Sequence, residues 1–155
     1  MGLIASASLP TDLPALTSLF RAYAASLPID LGYQGFDGEL VSLPGKYAPP
    51  AGALLIARDA AGAALGCVAM RPLETEICEM KRLYVAPAGR GQGLGKALTL
   101  AVIEAARTSG YREMRLDTLP SMADAQKLYR MLGFTEIAPY YDTPIAGTVF
   151  MSLKL

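Results

Sequence analysis

The sequence predicts an α/β domain built on a mixed, mostly antiparallel sheet of six to seven strands with helices on both faces. Three observations carry this prediction. The middle of the chain reads as apolar strands in quick succession, 53–58, 65–71 and 77–85. From Leu94 the hydrophobic period changes to that of helix, then alternates strand, helix, strand. The 155 residues fit one compact unit, 1–155, able to bury a core without disulfides or metals. A meander followed by such an alternation implies a mixed sheet covered on two sides.

The elements follow in order. A first strand is expected over Leu3–Ser8. Asp12 is placed to cap a helix whose first turn tolerates Pro14 and whose stripe is Leu13, Leu16, Leu19, Phe20 and Tyr23. An irregular stretch, 28–52, is rich in proline and glycine and holds a short helix around 36–43. Long irregular segments of this kind are often binding loops. Asp59-Ala60-Ala61-Gly62 turns strand 53–58 into strand 65–71 as a hairpin. Leu94, Ala97, Leu98, Ala101, Val102 and Ala105 share one helical face, closed at Gly110. Met114, Leu116 and Thr118 alternate as a strand. A helix over 124–132 ends at Gly133, and strands over 134–138 and 148–153 complete the chain.

Composition narrows the chemistry. There is no histidine, which excludes a histidine-based triad and removes the commonest zinc ligand. No metal is expected. Cys67 and Cys78 sit in strand-like apolar contexts and read as buried free thiols suited to a reducing cytoplasm. Net charge is zero, which argues against a nucleic-acid binder. No apolar run approaches the roughly 18 residues of a membrane span, and no basic n-region of a signal peptide opens the chain, so a cytoplasmic location is expected. Met1-Gly2-Leu3-Ile4-Ala5-Ser6 meets a loose myristoylation pattern but reads better as the opening strand. Acids outnumber bases over 28–79, and bases outnumber acids from Met80 onward. Such a division suits an amine and a phosphorylated cofactor.

The segment Leu83 to Lys96 carries the strongest signal. A strand ends at Pro87, a turn with Gly89, Gly91, Gly93 and Gly95 follows, and a long helix begins at once. Unpaired N–H groups at a helix start bind anions, and glycine lets phosphate approach the backbone. Arg90 and Lys96 add positive charge. Known nucleotide loops do not fit. A P-loop counted back from Gly95-Lys96 finds Arg90 where glycine is needed and Ala97 where Ser or Thr is needed; a dinucleotide fingerprint from Gly91 and Gly93 meets Lys96 instead of glycine.

Arg90, Gly93 and Gly95 form R-x-x-G-x-G, and Ala125 to Phe134 form A-x-x-L-Y-x-x-x-G-F. In these two elements the sequence resembles the GNAT superfamily of N-acetyltransferases, over about 77–137. The resemblance implies a GNAT-like fold and direct acetyl transfer from acetyl-CoA, the co-substrate, to a primary amine of a small molecule or peptide. It implies that the backbone of Gly91, Gln92, Gly93, Leu94, Gly95 and Lys96, with Arg90, holds the pyrophosphate. Leu83, Tyr84 and Val85 are then the strand along which the pantetheine lies, with an N–H near Val85 polarising the thioester carbonyl. Tyr129 stands where the family's general acid stands, and a phenol can protonate a departing thiolate. Glu79, and after it Glu76, are the candidate bases, directly or through water. Many members carry Asn where this chain has Met122, and Ser121 is the expected substitute. The competing reading is a non-catalytic acyl-CoA-binding module of the same fold.

The acceptor is less legible. Asp30, Asp37 and Glu39 hint at a cationic amine, and Tyr33, Tyr47, Tyr140 and Tyr141 are candidates for the pocket wall. The stretch 140–150 is apolar enough to pair with a second copy of the chain, forming a homodimer, or to return as an intramolecular strand.

Overall fold

The computed structural model describes residues 3–155; Met1 and Gly2, the start of the myristoylation pattern, lie outside them. The chain runs β1 (Leu3–Ser6), α1 (Leu13–Ala25), α2 (Phe36–Ser42), β2 (Ala53–Arg58), β3 (Ala64–Glu74), β4 (Ile77–Val85), α3 (Leu94–Thr108), β5 (Glu113–Thr118), α4 (Ala123–Met131), β6 (Thr135–Ile137) and β7 (Val149–Lys154). Short 3-10 turns occupy Leu31–Gln34, Gly45–Tyr47 and Pro87–Gly89. The strands form one 7-stranded sheet in the order β1-β2-β3-β4-β5-β7-β6. Only β4 and β5 pair in parallel; the other neighbours are antiparallel. The expected mixed, mostly antiparallel sheet is therefore the one observed.

Alternation along the central strands sorts two apolar layers. Leu55, Ala57, Val68, Met70, Cys78, Met80, Met114 and Leu116 face α3, against Leu98, Val102, Ile103 and Ala106. Leu54, Ile56, Cys67 and Ala69 face the other way, against Leu16, Leu19 and Phe20 of α1 and against Phe36 and Tyr47. β2 and β3 are buried on two faces and read as near-continuous apolar runs, whereas β5 alternates buried and half-buried residues. No helix among the described residues is long and apolar enough to cross a membrane.

Two departures from regular pairing shape the molecule. The parallel ladder of β4 and β5 lasts only three steps, Ile77↔Glu113, Cys78↔Met114 and Glu79↔Arg115. Beyond Glu79 the strands diverge, and residues 80–85 keep β3 as their only strand neighbour. On that other side, Cys67 pairs with Tyr84 but Ala69 pairs with Lys81, so β4 holds one extra residue. The bulge places Arg82 at a φ of 61°, in the left-handed region.

One local expectation fails. Asp12 stands at the N-cap position but makes no capping bond to α1. Its backbone sits at φ −88°, ψ 0° instead of the extended conformation that aims a capping side chain at the helix. The carboxylate instead accepts from the Ser8 N–H at 2.7 Å and pairs with Arg58 at 2.8 Å, tying the start of α1 to the end of β2.

Candidate active site

Where β4 and β5 part, a cavity of about 490 Å³ opens through the sheet. Its walls are Met80 to Val85 on one side and Leu116, Asp117 and Thr118 on the other. Ser121 to Ala125 with Leu128 and Tyr129 close it along α4, and Arg90 and Gly95 stand at the glycine loop. The expected residues Leu83, Tyr84, Val85, Arg90, Gly95, Ser121 and Tyr129 thus line one space. Met122 lines it too, and the Thr118 hydroxyl lies 3.6 Å from its sulfur.

The strand edge facing this space is chemically open. The Ala86 N–H bonds to the Leu65 carbonyl at 2.7 Å, toward β3. Backbone polarity alternates along a strand, so the N–H and C=O of Val85 point the other way, into the split. Arg90 confirms the direction by donating from Nε to the Val85 carbonyl at 3.3 Å.

The glycine loop leaves its backbone donors open. Gly91 and Gly93 take φ values of 80° and 72°, and Gly93 is the N-cap of α3 with no side chain to cap it. Both conformations are left-handed, which glycine adopts without the penalty of a Cβ. Among the described residues, none of the N–H groups of residues 91–96 donates to another protein group. These orphan donors, at the positive end of a 15-residue helix, fit a pyrophosphate. Gln92 turns its amide back to the Ala88 carbonyl at 3.3 Å, and Leu94 buries its side chain in the core, leaving only backbone for binding. Lys96 is exposed.

Tyr129 is buried, and its hydroxyl has no hydrogen-bond partner among the described residues. No buried side-chain oxygen or nitrogen among the described residues lacks a partner, so that hydroxyl reaches the cavity. Burial raises its pKa, with the charges of Tyr23 and Asp117 adding to the effect. The phenol is therefore kept neutral at ordinary pH.

Glu79 sits differently. It is 1 % exposed and does not line the cavity. One carboxylate oxygen accepts from Arg71 Nε at 2.9 Å and the other from the Tyr140 hydroxyl at 2.5 Å. Glu76 lies in the β3–β4 turn at the far end of β4, more than half exposed, paired loosely with Arg112 at 3.7 Å. It is remote from the split, which begins beyond Glu79.

The structure adds residues that motif reading missed. Lys81 and Asp117, both nearly buried, face each other across the split at 3.9 Å. Burial lowers the Lys81 pKa, against the raising effect of Glu79 and Asp117. Tyr141 donates to the Asp117 carboxylate at 2.7 Å. Arg82, turned out of β4 by the bulge, donates to both Glu39 oxygens at 2.8 and 3.0 Å and to Gln34 at 2.7 Å. A legible trace exists: Glu79, Lys81 and Arg82 are charges inside a strand that is otherwise apolar. Buried charges are retained only when paired, so they pointed to partners that the sequence could not name.

Of the expected acidic group, Asp30 and Asp37 are exposed, and Asp30 also accepts from the Gly32 N–H at 2.8 Å. Only Glu39 is taken up inside the protein, by Arg82 and by the Tyr47 hydroxyl at 2.8 Å. Tyr140 and Tyr141 stack edge-to-face with each other and with Phe150 over the sheet.

The sheet is split in this way with unpaired N–H groups of a helix start at its rim and a buried neutral phenol in its wall. The GNAT acetyltransferase family model matches residues 17–134. An uncharacterized N-acetyltransferase of Schizosaccharomyces pombe is 42 % identical over 98 % of this chain and 94 % of its own length. Another from Escherichia coli is 35 % identical, covering 81 % of this chain and 78 % of its own. The crystal structure of a GNAT-family acetyltransferase from Staphylococcus aureus superposes with a TM-score of 0.81 at 19 % identity, over 99 % of both chains. The chain belongs to the GNAT family and is an N-acetyltransferase.

Proposed function

We propose that the chain transfers an acetyl group from acetyl-CoA to a primary amine by direct attack. The observation that carries this reading is the run of orphan N–H groups at residues 91–96 beside an open strand edge and a cavity of about 490 Å³. That combination suits a pyrophosphate with a long arm attached. A phosphinothricin acetyltransferase from Sinorhizobium meliloti, solved with acetyl-CoA, shares the fold at a TM-score of 0.72 and 20 % identity, over 99 % of this chain and 88 % of its own.

Bound acetyl-CoA supplies an activated acyl carbon and a thiolate leaving group. In this reading the N–H groups of 91–96 and Arg90 hold its phosphates. The Val85 N–H polarises the acyl carbonyl, and Ser121 takes the place of the family's Asn. Tyr129 donates its proton to the departing sulfur. An amine is mostly ammonium at neutral pH, so a proton must leave first. Glu79 receives it indirectly, through Tyr140 or water, because both its oxygens are already engaged. A location in the cytoplasm is part of the same reading.

Thermal unfolding with and without acetyl-CoA tests the cofactor. Ligand at about 100 times Kd adds roughly 2.7 kcal/mol, a rise of about 5–10 °C at 2–4 °C per kcal/mol. No rise with acetyl-CoA, or an equal rise with ATP, overturns the assignment. A rise without turnover on any acceptor favours the binding module over the enzyme.

A further inference from the structure

A second cavity, of about 200 Å³, adjoins the first, and Gln34 lines both. Its walls come from α2, the 3-10 turn Gly45–Tyr47 and β3, with Glu39, Ser42, Lys46, Tyr47 and Arg71 among them. At about 30 Å³ per water, it holds roughly six or seven waters, the size of a small polar head group.

The charges in that wall are unequally spent. Glu39 has both oxygens occupied, by Arg82 and by Tyr47. The Tyr47 proton is used in that bond, and the Ser42 hydroxyl donates to the Gly38 carbonyl at 2.7 Å. Arg71 is the opposite case. It engages Glu79 through Nε alone, its terminal nitrogens bond to no protein group among the described residues, and its side chain is 30 % exposed. Lys46 is exposed and has no ion pair among the described residues. The wall has one neutralised acid and two cations with donors to spare. A guanidinium fork presented this way matches a carboxylate in geometry as well as charge.

Across Gln34 lies the transfer cleft. The Gln34 carbonyl oxygen is held by Arg82 at 2.7 Å and Lys81 at 3.3 Å, so this partition is fixed in place. Gln34 lines both cavities, so the small cavity borders the transfer cleft at this residue.

We propose that the small cavity binds the carboxylate of the acceptor through Arg71 and Lys46, making the acceptor a small amino acid rather than a plain alkylamine. This rests on the acetyl-transfer reading above. In the step itself the acceptor nitrogen bonds to the acyl carbon as the C–S bond breaks. One ammonium proton leaves toward Glu79 before attack, the departing sulfur takes the Tyr129 proton, the nitrogen's second proton restores Tyr129 directly or through water, and the acceptor carboxylate is unchanged.

The test uses the full chain, acetyl-CoA and a thiol-release assay. The common L-amino acids are compared with their decarboxylated amines and their primary amides. At least one acid should exceed its amine and its amide tenfold or more in kcat/KM. Lys46→Ala and Arg71→Gln should each bring that ratio toward one, mainly through KM for the acid. A purely structural role would lower acid and amine alike and leave the ratio intact. Lys46 lies in an exposed turn, so its variant stays informative if Arg71→Gln folds poorly. Equal use of amines, or a ratio unmoved in Lys46→Ala, overturns the inference while leaving the transferase reading standing. No turnover on any acceptor overturns both.

Discussion

Glu39→Ala should be among the most destabilising changes outside the apolar core. Arg82 is 4 % exposed and spends three nitrogens on Glu39 and Gln34. Removing the carboxylate leaves a buried guanidinium with one neutral partner, and it also frees the buried Tyr47 hydroxyl. Breaking a buried ion pair from one side costs about 3–5 kcal/mol. The lower end applies here, because Glu39 borders the small cavity and water can reach the gap. At 2–4 °C per kcal/mol, about 3 kcal/mol is a fall of roughly 6–12 °C in Tm. The assay is thermal unfolding by circular dichroism at pH 7, repeated with urea for the free energy. Glu39→Leu combined with Arg82→Met removes both charges, and such replacements are often neutral or better. The double variant should therefore recover most of the loss. A single variant melting within 2 °C of the parent, or a double variant no better than the single, would refute the argument that the orphaned charge is the cause.

Other expectations follow from the same geometry. Tyr129→Phe should lower kcat by 10²-fold or more, the scale of a general acid, with Tm nearly unchanged, since the hydroxyl has no partner among the described residues; a variant of normal kcat removes the acid role. Gly93→Ala forces a left-handed residue to carry a Cβ at φ 72°, at about 1–2 kcal/mol, so it should weaken acetyl-CoA binding in calorimetry. Burial acts to raise the Glu39 carboxyl, but the hydrogen bonds and charge of Arg82, with smaller help from Tyr47 and Lys81, outweigh it and hold its pKa below the ordinary value. A depressed folded-state pKa gives stability that is present above the unfolded value, near 4.3, and lost as pH falls through the folded one. Stability measured in urea should therefore decline below about pH 4.3, less steeply in Glu39→Gln. Cys67 and Cys78 are buried with their thiols pushed up to about 12, chiefly by desolvation. A disulfide reagent should label neither in the native protein and both after denaturation; rapid native labelling would contradict the packing.

Local features proved legible in the sequence, because local rules write them. The strands 53–58 and 77–85 fall where apolar runs and turns placed them. α3 begins at Leu94, one residue after the left-handed Gly93, because the glycine supplies the conformation that starts it. The cavity-lining residues Leu83, Tyr84, Val85, Arg90, Ser121 and Tyr129 were legible for a similar reason: two short motifs hold them on adjoining elements.

The charged half of the site was not legible in this way. Glu79 looked like a free carboxylate near the cleft, and the fold encloses it between Arg71 and Tyr140, residues 8 and 61 positions away along the chain. Glu39 looked like part of an acidic patch, and a bulge in β4 turns Arg82 onto it from 43 residues away. Sequence by itself determined the strands, the helices, the glycine-rich loop before α3 and the family, because periodicity, turn chemistry and motif spacing are properties of neighbours. Only the tertiary structure decided which charges cancel and which remain open to a ligand. A buried charge takes its meaning from its partner, and its partner is set by how distant strands meet.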